Sequence, residues 1–176
     1  MDANIARLRR WLVWVAKDPE PLEVRIAWIR KARADFDQDR DYAYAVFTPD
    51  ERKLIGGTGL HTRQGNDARE IGYWLQEKHQ GKGLAVEVSA ALTKVAFVVD
   101  KVKRVHIHCA VLNARSARVP QRLGFVKEGI LRKRVPNAAG EPEDMMVWTM
   151  LAEEYPGSIP SASEVRAFDA AGRRIL

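Results

Sequence analysis

Two glycines stand just ahead of a long apolar run, in the stretch Gln80-Gly-Lys-Gly-Leu-Ala85. The apolar residues from Leu84 to Val99 recur at helical spacing, so Gly81 and Gly83 fall at the start of a predicted helix. A helix N-terminus presents unpaired N–H groups and a positive dipole end, and glycine lets an anion reach the main chain. The stretch matches neither a Walker P-loop nor the dinucleotide fingerprint. It predicts either a phosphate-binding helix start or an ordinary loop before a core helix.

A second group with possible chemistry lies in the predicted strand Arg104–Ala110. His106 and His108 alternate onto one strand face and could supply two ligands of a metal, but no cysteine or third histidine stands at ligand spacing. No metal is therefore predicted. Cys109 shares the other face with apolar residues, which favours a small buried hydrophobe over a nucleophile. As the sole cysteine it excludes an internal disulfide and favours a reducing, cytoplasmic setting.

The elements that must position these residues begin with two predicted helices. Apolar residues recur at three- and four-residue steps from Ile5 to Val15, and a second helix follows from Val24 to about Phe36, with prolines between the two. Three tryptophans are expected to pack this pair onto the rest of the fold, and the alternative is that they line a substrate cleft: Trp11, Trp14 and Trp28.

The remaining elements alternate between strand and helix patterns. Short turns between the first three strands predict an antiparallel meander, and the overall order predicts a three-layer α/β or α+β domain. Strands are expected at residues 42–47, 53–60, 69–75, 104–110, from 125, and at 145–151 across the polar turn 136–142. Helices are expected at residues 84–99 and 116–123.

Composition places the chain among ordinary globular proteins. It has 176 residues, enough for one domain, of which 46% are hydrophobic and 30% charged. No apolar run approaches the roughly 18 residues of a membrane span, and the first residues lack a signal-peptide pattern. The net charge of +6 is scattered among carboxylates, so nucleic-acid binding is not favoured. Residues 1–155 are expected to form the domain, and residues 156–176 a linker and a short strand or hairpin tail.

Four motifs together resemble a known family. Gln80 to Ala85 resembles the Q/R-x-x-G-x-G/A loop of the GNAT N-acetyltransferases, which holds the pyrophosphate of acetyl-CoA. The stretches EIGYWL (70–75), NARS (113–116) and QRLGFVKEG (121–129) resemble its RimJ/RimL branch, which acetylates N-terminal amines of ribosomal proteins while many relatives act on other amines. The likeness covers residues 7–155. It implies a GNAT-like three-layer fold with a mixed, mostly antiparallel central sheet flanked by helices.

The resemblance also implies where acetyl-CoA binds. In the family, the strand before the loop splays from its neighbour and bonds the pantetheine arm, and here this strand carries Tyr73, Trp74 and Leu75. The loop and helix start that would hold the pyrophosphate are Gln80, Gly81, Lys82, Gly83, Leu84, Ala85 and Val86. Asn113 resembles a residue that reaches the pantetheine, and Ser116 one near the CoA sulfur. Helix capping explains Asn113 and Ser116 equally well, and the two roles can coexist.

Three basic residues follow these on the next predicted helix. One of them could pair with the 3′-phosphate of CoA. A solvated helix face explains them almost as well. They are Arg115, Arg118 and Arg122.

The implied activity is the transfer of an acetyl group from acetyl-CoA to a primary amine, at a protein N-terminus or on a small molecule, by direct attack in a ternary complex. The amine must be neutral to attack, so a base is needed, and Glu70 on the splayed strand is the candidate. Ser116 is the candidate acid, and a backbone N–H would stabilise the oxyanion. The alternative for Glu70 is a surface salt bridge. The alternative for the whole chain is a non-catalytic acyl-CoA-binding or regulatory module with a degraded acceptor site.

The chain also departs from the family pattern. The strand and helix that usually open the fold are missing, which leaves a sheet edge that proteins normally cover. The tail from Val165 to Phe168, or a partner subunit in a homodimer, is hypothesised to cover it. Pro120 stands where relatives carry a helix-friendly residue and could shorten its helix.

Overall fold

The computed structural model describes residues 4–15, 19–137 and 139–176, and its centre is a six-stranded sheet in the order β1-β2-β3-β4-β6-β5. The strands are β1 (Tyr42–Phe47), β2 (Leu54–His61), β3 (Ala68–Leu75), β4 (Arg104–Ala110), β5 (Val126–Pro136) and β6 (Pro142–Leu151). The helices are α1 (Ile5–Leu8), α2 (Leu22–Asp37), α3 (Leu84–Val98), α4 (Ala114–Leu123) and α5 (Ile159–Ala162). The predicted mixed, mostly antiparallel sheet flanked by helices is confirmed.

The first three strands form the predicted antiparallel meander. In its register Gly59 lies opposite Gly72 and His61 lies opposite Glu70. Directly opposed residues point to the same side of a sheet, so these four positions share one face. We call this the acceptor face; it is the face that also carries Trp74.

One junction in the sheet is short. β3 and β4 run parallel and pair only where Ala68, Arg69 and Glu70 face residues 104–106. Beyond Glu70 the two strands diverge, while β3 stays paired with β2 as far as Leu75 and β4 stays paired with β6 along its whole length. The sheet therefore opens into a wedge between residues 71–75 and 107–110.

The hydrophobic core lies on the sheet face opposite the acceptor face, under α3 and α4. Ile71 of β3 and Ile107 of β4 are almost completely buried there, together with Leu123 of α4. Ile71 and Ile107 alternate with the acceptor-face residues Glu70 and His108, as the period of two along a strand requires. The core therefore fixes which side chains point toward each side of the wedge.

The predicted single helix from Ile5 to Val15 is wrong in part. α1 ends at Leu8, a turn follows, and Val13–Val15 forms a short 3-10 helix. The apolar positions Ile5, Leu8 and Val15 are nevertheless buried, as a second small cluster against Trp74. Helices of one turn depend on tertiary contacts for stability, and contact with Trp74 sets the path of this segment more than helical period does.

α2 begins directly after Pro21 and ends one residue beyond the predicted end, at Asp37. None of its residues is buried; it contacts the sheet through Phe36, whose ring meets those of Tyr42 and Tyr44 edge-on at 5.3 and 5.4 Å.

The packing role expected of the three tryptophans is wrong for two of them. Trp14 and Trp28 are 55% and 61% exposed. All three, Trp11 included, border the large cleft described below, which is the alternative that the sequence left open.

Pro120 does not shorten α4, which continues to Leu123 and ends at Gly124 in the left-handed conformation. Asn113 caps its start, because the Asn113 side chain accepts a hydrogen bond from the Ser116 N–H at 3.1 Å. The capping expected of Asn113 is therefore present.

The stretch at 156–163, expected to be a linker, contains α5. The Lys94 ammonium on α3 donates to the carbonyl oxygens of Ser161 and Ser163 at 3.3 and 2.7 Å, which holds α5 against α3. The tail forms the expected small hairpin, bridged between Phe168 and Arg174.

This tail adds no strand to the sheet edge at β1, so it does not cover that edge by strand pairing. Cover by a partner subunit stays a prediction. Within the described ranges, no helix is long and apolar enough to cross a bilayer.

Candidate active site

The wedge between β3 and β4 opens into a continuous cleft of about 2400 Å³. The cleft runs from the first turn of α3, past the start of α4, to the acceptor face below α2. A pocket for one small ligand measures about 300–1,000 Å³. The cleft is therefore large enough for two ligands that meet inside the wedge.

The start of α3 is built to receive an anion. Gly81 and Gly83 have φ angles of +73° and +84°, which glycine adopts without strain, and a Cβ built on either would meet nothing within 4 Å. The first intrahelical bond joins the Glu87 N–H to the Gly83 carbonyl at 3.0 Å. The amides of Leu84 to Val86 precede it and have no helical acceptor, so they point out of the helix end. Their donors and the helix dipole favour a phosphate at this point.

The backbone of β3 offers hydrogen-bonding groups to the wedge. The Gln76 N–H donates to Ile55 of β2 at 2.8 Å. Because backbone groups alternate in direction along a strand, those of Tyr73 and Leu75 point away from β2 and into the wedge. The Leu75 carbonyl already accepts from the Arg7 guanidinium at 2.7 Å and the Gln80 amide at 3.2 Å. The Tyr73 backbone groups have no neighbouring strand at that level.

Tyr73 and Ser116 meet across the wedge. The Tyr73 hydroxyl lies 3.1 Å from the Ser116 carbonyl oxygen and 3.0 Å from the Ser116 Oγ. Burial is the main cause that raises the pKa of Tyr73, so the hydroxyl stays protonated and can donate. Cys109 lies nearby and burial raises the pKa of its thiol to about 11, so it stays a thiol at neutral pH. The pair therefore places protonated hydroxyl groups at the wall of the wedge.

Glu70 lies on the acceptor face beside the wedge, and its side chain is only 7% exposed. It pairs with the Arg63 guanidinium, accepts from the Gln64 amide at 2.5 Å and lies 3.4 Å from the His108 Nδ1. Burial raises the pKa of Glu70, but the hydrogen bond and charge of Arg63, helped by His108 and Gln64, outweigh it and hold the pKa below its ordinary value. The ion pair that the sequence left as the alternative is present, with a buried Glu70 carboxylate and an Arg63 side chain that is 59% exposed. A carboxylate stabilised by three neighbours is a weak base.

The acceptor face holds a second His–carboxylate contact, which sequence reasoning missed. The His61 Nδ1 lies 2.9 and 3.1 Å from the two carboxylate oxygens of Asp41. The imidazole ring lies over two glycines: a Cβ at Gly59 would come within 2.8 Å of its Cε1, and one at Gly72 within 3.3 Å of its Nε2. His61 thus occupies the sheet surface next to the wedge.

His106 and His108 do not assemble a metal site. The His106 Nδ1 bonds the Thr149 hydroxyl at 2.9 Å, and its ring centroid is 5.9 Å from that of His108. Burial lowers the pKa of both histidines. Among the residues that the structure describes, no three side chains of ligand type converge.

The structure brings most of the predicted cosubstrate residues to the cleft and leaves one away from it. Lys82 is exposed and does not border the cleft, and the side chain of Trp74 packs on the acceptor face against α1. The cleft is bordered by Tyr73, Trp74, Leu75, Gln80, Gly81, Gly83, Leu84, Ala85, Val86, Asn113 and Ser116. Exposed arginines of α4 border it as well: Arg115, Arg118 and Arg122.

Comparison with known proteins agrees with this geometry. A family model described as an acetyltransferase (GNAT) domain matches residues 2–126. The chain belongs to the GNAT acetyltransferase family. The resemblance to this family is thereby confirmed, and the relatives include proteins of the RimJ/RimL type.

Two curated GNAT relatives show the extent of the sequence likeness. "Probable N-acetyltransferase YjcK" of Bacillus subtilis (strain 168) is 34% identical over 117 residues, which are 65% of this chain and 64% of that protein. The ribosomal-protein-serine acetyltransferase of Escherichia coli (strain K12) is 37% identical over 97 residues, 53% of either chain. The matches thus span 53% and 64% of the length of these two relatives.

A solved GNAT structure matches more of the fold. It is RimL, the ribosomal L7/L12 alpha-N-protein acetyltransferase, in complex with coenzyme A. The TM-score is 0.76, and the match covers 86% of this chain and 84% of that chain at 23% identity. At this identity the likeness concerns the fold.

Proposed function

We propose that this GNAT protein is an N-acetyltransferase that transfers the acetyl group of acetyl-CoA to a primary amine. The observation that carries the proposal is the divergence of β3 and β4 beyond Glu70, directly beside the open N-terminus of α3. The same wedge presents backbone hydrogen-bonding groups to an extended chain and an anion site to its phosphates. A CoA thioester combines these two features in one molecule.

The residues fit acetyl-CoA in the order of its parts. The amides of Leu84 to Val86 and the cradle of Gly81 and Gly83 suit the pyrophosphate, since a side chain at either glycine would stand between phosphate and backbone. The Tyr73 backbone groups suit the amides of the pantetheine arm. Asn113, already a helix cap, borders the same cleft and suits a contact with that arm, and the arginines of α4 suit the 3′-phosphate. RimL, whose fold this chain shares, binds CoA.

The thioester supplies an activated acyl group, and the residues around it manage protons. The proposed donor to the departing sulfur is the Ser116 hydroxyl, which is hydrogen-bonded to the Tyr73 hydroxyl at 3.0 Å. The role of Glu70 as the base stays a hypothesis. Three neighbours stabilise the Glu70 carboxylate, which makes it less able to accept a proton. No covalent bond to the protein is required in a direct transfer.

The proposed acceptor is a primary amine at a protein N-terminus or on a small molecule. Curated relatives are named for the acetylation of ribosomal proteins, which favours a protein N-terminus. The acceptor side of the cleft is bordered by Trp14 and Trp28, which are largely exposed and therefore available for contact with a peptide. Both sides of the cleft are provided by one chain.

The test is thiol release from acetyl-CoA in the presence of amines and N-terminal peptides, together with calorimetric titration of CoA. CoA binding and acceptor-dependent thiol release are expected. CoA binding without release for any acceptor would favour a non-catalytic acyl-CoA-binding module. Absence of CoA binding would overturn the proposal.

A further inference from the structure

The proton that leaves the acceptor amine needs a base on the acceptor face, and Glu70 is poorly suited to accept it. Its two carboxylate oxygens already contact Arg63, Gln64 and His108. Any proton placed on Glu70 would break the ion pair of its buried carboxylate with Arg63. The base is therefore to be sought among the other groups on this face.

We propose that His61 is the base that deprotonates the acceptor amine, and that Asp41 is the positioning residue that orients it. This inference rests on the proposed acetyl transfer. The Asp41 carboxylate accepts the Nδ1–H of His61 at 2.9 Å, which selects the tautomer with a lone pair on Nε2. No described residue forms a hydrogen bond with Nε2. The atom that can take a proton is thus the one left available.

The glycines under the ring support this role, because they place Nε2 next to the wedge. A Cβ at Gly59 would come within 2.9 Å of Nε2, and one at Gly72 within 3.3 Å, so side chains there would displace the ring. Gly72 directly precedes Tyr73, whose backbone groups point into the wedge. Because Nε2 lies above Gly72, an amine held between Nε2 and the Tyr73 backbone would lie between the base and the proposed thioester.

Every proton and bond in the proposed acetyl transfer is accounted for. The protonated amine gives one proton to the His61 Nε2, and its freed lone pair forms a C–N bond with the thioester carbonyl carbon. The C–S bond breaks with its electron pair on sulfur, and the second amine proton reaches that sulfur, through Ser116 in the proposed function. His61 returns its proton to solvent through the cleft, in which its side chain is 24% exposed.

Other charged groups border the same cleft as His61. They lie on the loop after β2, on β3, on β4, on β5 and on α2, and both signs are represented. They are Arg63, Glu70, His108, Arg134, Arg33, Asp35 and Asp37.

The test measures kcat/KM against pH for the wild type and His61→Gln, with acetyl-CoA and the best amine from the acceptor panel. We expect a loss of about 100-fold or more at neutral pH, typical of a removed general base, with CoA affinity unchanged. The fall in kcat/KM that the wild type shows on the acid side of its pH profile should be absent from His61→Gln. The kcat/KM of this variant should rise again at high pH, where the amine is already neutral. Wild-type kcat/KM and an unchanged acid limb in His61→Gln would overturn the inference.

Two further variants separate catalysis from folding. His61→Ala leaves space above Gly59 and Gly72, so added imidazole should restore part of its activity, and failure of rescue in a folded variant would count against the base role. Asp41→Asn keeps the imidazole and removes the carboxylate. We expect a lower kcat, and we expect the acid side of the pH profile of kcat/KM to move. Failure of the proposed function is distinguishable, since the wild type would then release no thiol at all.

Discussion

The Tyr73 hydroxyl takes the place of a missing backbone donor in α4. Within a helix, the Ser116 carbonyl would accept from the amide of residue 120, but this residue is proline and has no N–H. The Tyr73 hydroxyl, 3.1 Å from the Ser116 oxygen, supplies the hydrogen bond instead. The interruption in the helix therefore ties α4 to the strand that borders the wedge.

Tyr73→Phe should destabilise the protein by about 1–3 kcal/mol, because it leaves the Ser116 carbonyl without a donor in a partly buried site. In a Pro120→Ala background the same change should cost less, since residue 120 then supplies an N–H. Urea unfolding of the two single variants and the double variant measures this coupling. Equal costs of Tyr73→Phe in both backgrounds would show that the Ser116 carbonyl does not depend on Tyr73.

Gly83→Ala should weaken CoA binding by about tenfold or more, because a Cβ would stand where the phosphates approach the backbone and the left-handed φ would be strained. The matched control is Gly140→Ala in the β5–β6 turn, where φ is +83°, much like the +84° of Gly83. Both variants should lose similar stability, about 1–2 kcal/mol, and calorimetry should show weaker CoA binding for Gly83→Ala alone. Equal CoA affinities of the two variants would contradict the proposal that the α3 N-terminus binds the phosphates.

Glu70→Gln should lower stability by about 1–3 kcal/mol at neutral pH, because it removes the charge that pairs with Arg63 in a buried site. The folded-state pKa of Glu70 is lowered, so its contribution is present above the unfolded value and is lost as pH falls through the folded one. The difference from wild type should therefore shrink below about pH 4.5 in pH-dependent denaturation. Asp37→Asn, in an exposed pair with Arg33, is the control and should change little. A pH-independent difference would contradict the assignment.

Gly56→Ala should destabilise the fold by about 1–3 kcal/mol through overpacking. A Cβ there would collide with the Trp74 carbonyl oxygen and come within 2.7 Å of the Leu75 Cδ2. Gly129→Ala on β5 is the control, since nothing lies within 4 Å of a Cβ at that position. Thermal unfolding of both variants measures the difference, and similar midpoints would contradict the close approach of β2 and β3.

Several elements could be predicted from the sequence because one local pattern determined them. The apolar stripe of α3 and the alternation in β3 and β4 predicted the bounds of all three elements to within a residue or two. The segment from Ile5 to Val15 could not be predicted in this way, because its path depends on Trp74, about sixty positions further along the chain. The packing predicted for Trp14 and Trp28 relied on the general rule that large apolar residues are buried. Both side chains instead border an open cleft.

The candidate site was predictable where a motif is contiguous and not where it depends on strand register. Gly81 and Gly83 precede their helix directly, so their position at the N-terminus of α3 could be predicted from adjacent residues. Asp41 and His61 are twenty positions apart and meet through the pairing of β1 with β2, whose register is not visible in either strand's own pattern. The short turn between β2 and β3 was the available signal that His61 faces Glu70.

The brief pairing between β3 and β4 has a consequence for the energetics of the whole molecule. In the free protein the two halves of the sheet are joined by backbone bonds only near residues 68–70, and the core under α3 and α4 must hold the rest together. A ligand that bonds both walls of the wedge would act as a cross-link between the halves. At a concentration 100 times its Kd such a ligand would add about 2.7 kcal/mol to the free energy of unfolding. The cosubstrate would then stabilise the fold as well as take part in the reaction. The thermal stability of the protein would therefore depend on the concentration of CoA.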